Sequence, residues 1–401
     1  MSDLALQPSP RYPRPEADDE QNMLADSELA SEQTLRLELI DSLEAAEAAW
    51  RAFEVRAVIT PYQRFDWISR LVAAHGGLKG RLAIVFLHEG ERVVGLLPLE
   101  ITNRLGIRSA RIIGWDFSNG DWMAMDKGFA RRLDRTMLDT ILLDLRKLTG
   151  ADLLALHSQP ESWDGVRSPL LALPHQPSPD HFYAGSLGAE RLNAKRLRNI
   201  DRGRRRLEEA YGPVRLERAT SPEAIEAVHA EFLRQRGVRF KEMGVANVFA
   251  EDWMQRFFKV SARSGLDQKR PVLVMHALFA GDLMVATSIG STSGDHYAQY
   301  INSTTDGPAA KYSLMALLLH LLTEELRQEG FTSIDMGLGD FEYKLDWTDK
   351  QMSYDAVIAL SAVGRGAAAL LQGLRAAKRA IKQHPMLWKL ATTVRARLNR
   401  G

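Results

Sequence analysis

The sequence predicts a mixed α/β (α+β) chain built from two tandem copies of one domain plan, closed by a basic helical tail. Three observations carry that expectation. Two apolar hairpins of the same form occur, RLAIVFL-HEGER-VVGLLPLEI from residue 81 and RPVLVMHALFAGDLMVATSIG from residue 270. Each is preceded by a pair of amphipathic helices, and each is followed by short strands, one long helix and a further apolar strand. Matching elements stand about 180 to 190 residues apart in the same order, the mark of an internal duplication. The 401 residues also suffice for about two domains.

Residues 1–33 hold four prolines and an acidic cluster from Glu16 to Glu20. So few large apolar side chains cannot offset the entropy of ordering, and this segment is expected to be disordered. The first domain is expected over 34–185. It opens on the alternating strand LRLELI, then a helix over SLEAAEAAWRAFEVRA. In PYQRFDWISRLVAAHG, Pro61 lies just inside a second helix and Gly76 at its end, the usual asymmetry of helix termini. Beyond the hairpin come short strands near 110–114 and 121–125, a helix over 129–149 and the strand DLLALHS. The connector, 186–212, contains ERLNAKRLRNIDRGRRRLEEAYG. Leu197, Ile200 and Leu207 share one side of its helical wheel, and Lys195, Arg198, Arg202, Arg205 and Arg206 share another. The second domain, 213–362, repeats the plan with helices over SPEAIEAVHAEFLRQRG and AEDWMQRFFKVSARSG. After its hairpin come the strand HYAQYIN, a helix from 309 to 329 and the strand TSIDMGL.

Net charge is +1, so the whole chain offers no field to draw nucleic acid. No cysteine is present, which excludes disulfides, thiolate nucleophiles and Cys-based zinc sites. The ten histidines are not spaced as metal ligands, and no metal is expected. The N-terminus lacks a basic start followed by an apolar stretch. No run approaches the roughly 20 apolar residues that span a bilayer. The expected location is the cytoplasm.

Two stretches could carry chemistry. Between HYAQYIN and the apolar helix lies STTDGPAAKYS. A helix N-terminus presents unpaired N–H groups and partial positive charge, which favour a phosphate. Gly307 permits close backbone approach, and Ala309 and Ala310 add no bulk. Neither GxxxxGK[ST] nor GxGxxG occurs there. The second stretch is IDMGLGDFEYKLDW, residues 334–347. Gly337 and Gly339 allow conformations that side chains forbid. Asp340 follows, where a carboxylate can take a proton from an attacking amine or hydroxyl, or orient it. Tyr343 and Lys344 can donate to a leaving group or bind an anion.

MGLGDFEYKLDW resembles the GD..YK..W element of the CelD/BioF2-like acyltransferases of the GNAT superfamily, a group related to the Fem peptidoglycan transferases. KRLRNIDRGRRRLEEAYG resembles the basic helix ahead of their second domain, and TPYQRFDWISRL resembles their TPFQ…W segment. The likeness spans about residues 35–360. It implies tandem GNAT-like acyl-CoA N-acyltransferase domains, with acyl-CoA held between two splayed strands of the second and its pyrophosphate on a helix N-terminus. Carried over by position, the cofactor strand is 296–302, with Tyr300 and Asn302. The phosphate loop is Gly307, Ala309, Ala310, Lys311, Tyr312 and Ser313, where relatives often read Ser-Pro-Gly. Asp340, Tyr343 and Lys344 fall on the catalytic element, with Trp347 its aromatic end. The implied reaction is transfer of acetyl from acetyl-CoA to an amine or hydroxyl of a sugar in exopolysaccharide or cell-envelope polysaccharide assembly. Asp340 would be base or orienter, Tyr343 a donor to the thiolate or a substrate ligand, and Lys344 the binder of an anionic group. Lys195, Arg198 and Arg202 would face an anionic acceptor. Two other readings stay open: a Fem-like transferase using aminoacyl-tRNA, and a non-catalytic GNAT-fold scaffold or nucleotide-responsive regulator of polysaccharide assembly.

The tail, 363–401, carries nine Lys/Arg from Arg365 to Arg400 and no acid. Leu370, Leu374, Ala377 and Ile381 fall on one helical face, with Arg375, Lys378, Arg379 and Lys382 elsewhere. Such a helix can lie on an anionic membrane, dock on polysaccharide-assembly proteins or pack on its own chain.

Overall fold

The computed structural model describes residues 35–188, 190–242, 244, 246–384 and 386–389. The segment expected to be disordered, 1–33, and the end of the tail lie outside the described residues. The first half runs β1 (Leu35–Ile40), α1 (Leu43–Glu54), β2 (Ala57–Val58), α2 (Phe65–His75), β3 (Arg81–Glu89), β4 (Arg92–Arg104), β5 (Ile107–Ile112), β6 (Ala124–Asp126), α3 (Lys127–Arg132), α4 (Arg135–Thr149) and β7 (Leu153–Pro160). Four short strands follow: β8 (Ser162–Trp163), β9 (Val166–Arg167), β10 (Gln176–Pro177) and β11 (Phe182–Ser186). The connector helix is α5 (Ala194–Tyr211). The plan then recurs as β12 (Val214–Arg218), α6 (Pro222–Glu242), α7 (Asp252–Arg263), β13 (Val274–Ala280), β14 (Leu283–Ser293), β15 (His296–Thr304), α8 (Leu314–Gln328) and β16 (Ser333–Leu338). The chain ends in β17 (Asp349–Gln351), β18 (Ser353–Ala359) and α9 (Ala362–Gln383).

Local chemistry sets these boundaries. Ser42 caps α1 by accepting the Ala45 N–H at 3.3 Å, and Gly76 at φ 84° ends α2. The single helix expected over 129–149 is instead α3 and α4. Asp134 takes an extended conformation there, and its carboxylate accepts the Met137 N–H at 2.8 Å, starting a new helix. The helix expected from 309 begins only at Leu314. Ser313, at φ 56° and ψ 41°, separates it from a 3-10 turn over Pro308–Tyr312.

The two sheets have the same strand order, and each borrows its sixth strand from the other half. The first is β1-β3-β4-β5-β7-β18-β10, with β2 and β6 alongside; the second is β12-β13-β14-β15-β16-β11-β17. Thus β11, from the end of the first sequence repeat, pairs with β16, and β18, from the end of the second, pairs antiparallel with β7. The exchange ties the halves together, and a shared apolar core seals them. Trp50, Trp67 and Phe86 of the first half pack in one cluster with Phe232, Phe257 and Ile289 of the second. The Trp67 and Phe257 rings meet edge to face at 5.0 Å. Polar contacts cross the same seam: Arg64 Nη1 donates to Thr292 O at 2.8 Å, and Ser293 Oγ donates to Ile59 O at 3.0 Å.

In α5, Ile200 and Leu207 are buried as the wheel predicts. Helix α9 packs on β18 of the first sheet. No helix among the described residues is long and apolar enough to cross a membrane.

Candidate active site

β15 and β16 are parallel neighbours over only three pairs, His296–Ala298 with Ser333–Asp335. Beyond these, β15 runs on to Thr304 and β16 to Leu338 without pairing to each other, so the strands part as a wedge. On the β16 side, the Gly337 N–H bonds the Asp335 carboxylate at 2.8 Å, not a neighbouring strand. Gly337 and Gly339 have φ of 61° and 97°, and a Cβ on Gly337 would lie 2.5 Å from Asn119 Nδ2 of the first lobe. Glycine is needed there for both reasons.

The wedge holds a cavity of about 520 Å³. Its walls include Tyr300, Asn302 and Thr304 of β15, Met336 and Leu338 of β16, and Phe341, Tyr343 and Lys344 of the following loop. Asn119 joins from the first lobe, and Gln235, Arg236 and Arg239 from α6. A second cavity of about 250 Å³ abuts it, sharing Thr304, Met315 and Tyr343. That one is walled by Ala310, Ser313 and Leu314 at the start of α8, and by Arg196 and Trp347. The opening N–H groups of α8 therefore meet one end of a continuous cleft, where the helix dipole favours an anion.

The equivalent wedge of the first lobe is filled by its own chain. β5 and β7 also pair over three residues, Ser109–Arg111 with Leu153–Ala155. Beyond them the Asp121 N–H donates to His157 O at 3.0 Å, and the His157 N–H donates to Asp121 Oδ2 at 2.6 Å. Trp122 beside them is 1% exposed. Burial pushes the Asp121 carboxyl up to about 7. A carboxyl whose folded pKa is raised stabilises below its unfolded pKa and loses that contribution as pH rises through the folded value. Asp121→Asn, which keeps an acceptor, should therefore gain stability relative to wild type between pH 5 and pH 8, by about 2 kcal/mol. Denaturant unfolding at the two pH values checks this; equal differences would refute it.

Of the residues expected in the catalytic element, Tyr343 stands where the two cavities join. Its hydroxyl bonds the buried Asn302 side chain, and burial raises its pKa, so it remains a proton donor. Lys344 is 4% exposed and donates to Leu338 O at 2.7 Å. Burial lowers its pKa to about 8, against the pull of Asp335, Asp180 and Asp340. Asp340 lines neither cavity. Tyr183 Oη donates to it at 2.8 Å and Gln383 Nε2 at 3.1 Å, while His181 Nδ1 lies at 3.0 Å and Lys350 Nζ at 3.3 Å. Burial alone would raise its pKa, but the hydrogen bonds from Gln383, His181 and Tyr183 outweigh that and hold it well below the usual carboxylate range.

The expected cofactor residues divide. Tyr300, Asn302, Ala310 and Ser313 reach the cleft. Tyr300 also ties the lobes, donating to Phe117 O at 3.0 Å. Ala309 is buried in the core under α8, and the Tyr312 ring packs near Tyr211. Gly307 and Lys311 line neither cavity, and Lys311 is exposed. Trp347 lines the smaller cavity, whereas Lys195, Arg198 and Arg202 are exposed and line neither.

Wall residues missed by sequence reasoning include the polar Arg196, Gln235, Arg236, Arg239 and Asn119. Arg196 stands four residues before buried Ile200, hence on the inward face, and its Nη2 pairs with Asp346 Oδ2 at 2.7 Å. Arg236 and Arg239 are three apart, on one face of α6. Burial and the neighbouring Arg239 charge lower the Arg236 pKa to about 10, and its Nε is buried with no hydrogen-bond partner among the described residues. Among those residues, no group of three or more His, Cys, Asp or Glu is placed to hold a metal ion.

Residues 194–345 match the family described as Acetyltransferase (GNAT) domain. A search of curated proteins by sequence returned no match. Among solved structures, FemX is similar with a TM-score of 0.54 and 10% identity, covering 84% of this chain and 100% of that one. The C-terminal domain (DUF2156) of an Agrobacterium fabrum protein described as a lysylphosphatidylglycerol synthetase is similar with a TM-score of 0.51 and 12% identity, covering 83% and 97%. At such identities the likeness speaks for the fold, a duplicated GNAT-like architecture. Within it, the stretch from α5 to the loop after β16 is the part that matches the GNAT-domain model, which supports the acyltransferase class.

Proposed function

We propose that the chain transfers an acyl group, most simply acetyl from acetyl-CoA, to an amine or hydroxyl of a sugar in polysaccharide assembly. One observation carries the reading: the second wedge is open, ends on the N-terminus of α8, and has a protonated tyrosine where its two parts meet. The cleft fits the group in chemistry as well as shape. Thr304, Ala310 and Ser313 leave the first α8 amides reachable, and β15 offers an unpaired edge beyond Ala298. Bound acyl-CoA would supply the activated thioester.

The protein's own residues would do the rest. The α8 amides and Arg196 hold an anionic group at one end. Unpaired backbone groups of β15 fix the reactive arm, and alignment of two reactants removes much of the entropic barrier. Tyr343 keeps a proton at Oη for the departing sulfur, and the proton released by the attacking amine or hydroxyl passes to water or back to that oxygen. Asp340 acts as orienter: its carboxylate, fastened by Tyr183 and Gln383, sets the loop that carries Tyr343. The acceptor would enter past Gln235, Arg236 and Arg239, whose charge favours an anionic sugar derivative, with Lys195, Arg198 and Arg202 adding long-range attraction. The choice of a polysaccharide sugar is supported by the sequence resemblance and by this polar wall.

The test is acceptor-dependent release of free coenzyme A, read with a thiol reagent. The chain has no cysteine, so it adds no background. With acetyl-CoA and a panel of amino sugars and sugar nucleotides, at least one acceptor should raise thiol release well above the acceptor-free rate. Equal rates across the panel would remove the sugar reading.

A further inference from the structure

Helix α9 packs on the protein through a mixed face and turns most of its larger apolar side chains outward. Its inward face is small and apolar at the start, where Ala367, Ala368 and Leu371 pack with Leu153, Ala155 and Val357, and cationic further on: Arg375 pairs with Asp355 at 2.7 Å, Lys382 with Asp180 at 2.6 Å, and Arg379 donates to Ser178 O. A separate apolar stripe faces solvent. Val363, Leu370, Leu374 and Ile381 are 63%, 65%, 58% and 40% exposed. With exposed Ala377 they fall within about 60° of the wheel, at 100° per residue. Leu387, just past the helix, is also exposed.

We propose that this stripe is the seat on which the protein lies against an anionic lipid bilayer. Charge decides the occupant. No acid follows Asp355, while nine Lys/Arg run from Arg365 to Arg400; Arg375, Arg379 and Lys382 of these face the protein, and Arg365 and Lys378 are exposed. A second copy meeting this face would bring two such cationic tails together, whereas a bilayer of anionic lipids accepts the apolar side chains and the surrounding cations at once. Exposed Lys378 borders the stripe directly. The seat also reaches the cleft: Gln383, at the end of α9, donates to Asp340, next to Phe341, which is 51% exposed and on the cavity wall. A protein seated this way holds its cavity mouth near the headgroups.

Co-sedimentation with vesicles tests the seat without reference to catalysis. The full chain is mixed with phosphatidylcholine vesicles, and with vesicles containing about 30% phosphatidylglycerol. The proposal expects at least about fivefold more protein pelleted by the anionic vesicles, and release at high salt as the Debye length shrinks. Leu374→Glu/Ile381→Glu should fall to the phosphatidylcholine level with its circular dichroism and Tm unchanged, since both side chains are exposed. Three results would overturn it: no preference for anionic vesicles, a double variant that pellets like wild type, or a concentration-dependent dimer abolished by the same substitutions.

Discussion

Tyr343→Phe should lower kcat by about 10²- to 10⁴-fold while leaving acyl-CoA affinity within about threefold of wild type. The ring of Tyr343 walls both cavities, and Phe keeps that wall; only the hydroxyl is lost. That hydroxyl bonds Asn302 and is kept protonated by burial. A proton donor acting only as the leaving group departs changes the barrier without changing ground-state binding, so the effect should appear in kcat and not in KM. Single-turnover kinetics with the best acceptor makes the separation. A variant with wild-type kcat would remove Tyr343 from the chemistry.

The largest effect on stability is expected from Arg375→Ala, at about 3–5 kcal/mol. Asp355 lies on β18, the strand the first sheet borrows, and its side chain is fully buried. It accepts from Arg375 Nη2 at 2.7 Å, from Ser178 Oγ at 2.6 Å and from the Ser158 N–H at 2.9 Å. Burial disfavours its charge, and these donors, Arg375 foremost, keep it ionised. Truncating Arg375 strands a carboxylate in the core at the point where the halves interlock. Asp355→Asn in the same background removes the stranded charge but keeps an acceptor for Ser178, and should recover about 1–2 kcal/mol. Denaturant unfolding reads both values; a single variant within about 0.5 kcal/mol of wild type would contradict this view of the seam.

The repeat was legible because its signals are local. Hairpin turns at Gly90 and Gly281 and helical periodicity in the 129–149 and 309–329 stretches survive in any window of a dozen residues. The strand exchange was not: neither FYAGS nor SYDAVIA was read as a strand, and nothing in either says which sheet takes it. The break at Asp134 could have been read, since an aspartate three residues before Met137 is an ordinary helix start.

In the cleft, the loop after β16 was legible from two glycines close to a Tyr-Lys pair. The walls from α5 and α6 were harder. Each helix carries several cations, and composition cannot tell Arg196 from Lys195 or Arg198. Counting back from Ile200 and Leu207 does so, because of these three only Arg196 shares their face. Arg236 and Arg239 gave no such sign, since what turns them inward is the packing of α6 across β13, β14 and β15.

The central claim is that the splay between β15 and β16, ending on the α8 amides, is a coenzyme A site. Isothermal titration of acetyl-CoA into the wild-type chain and into Ala310→Trp measures it most directly, since Ala310 is an exposed wall residue whose enlargement blocks the smaller cavity without disturbing the core. One molecule bound per chain, with affinity reduced at least about tenfold by the tryptophan, a loss of 1.4 kcal/mol or more, is the predicted result. No binding to the folded wild-type chain, or equal binding by both, would contradict it.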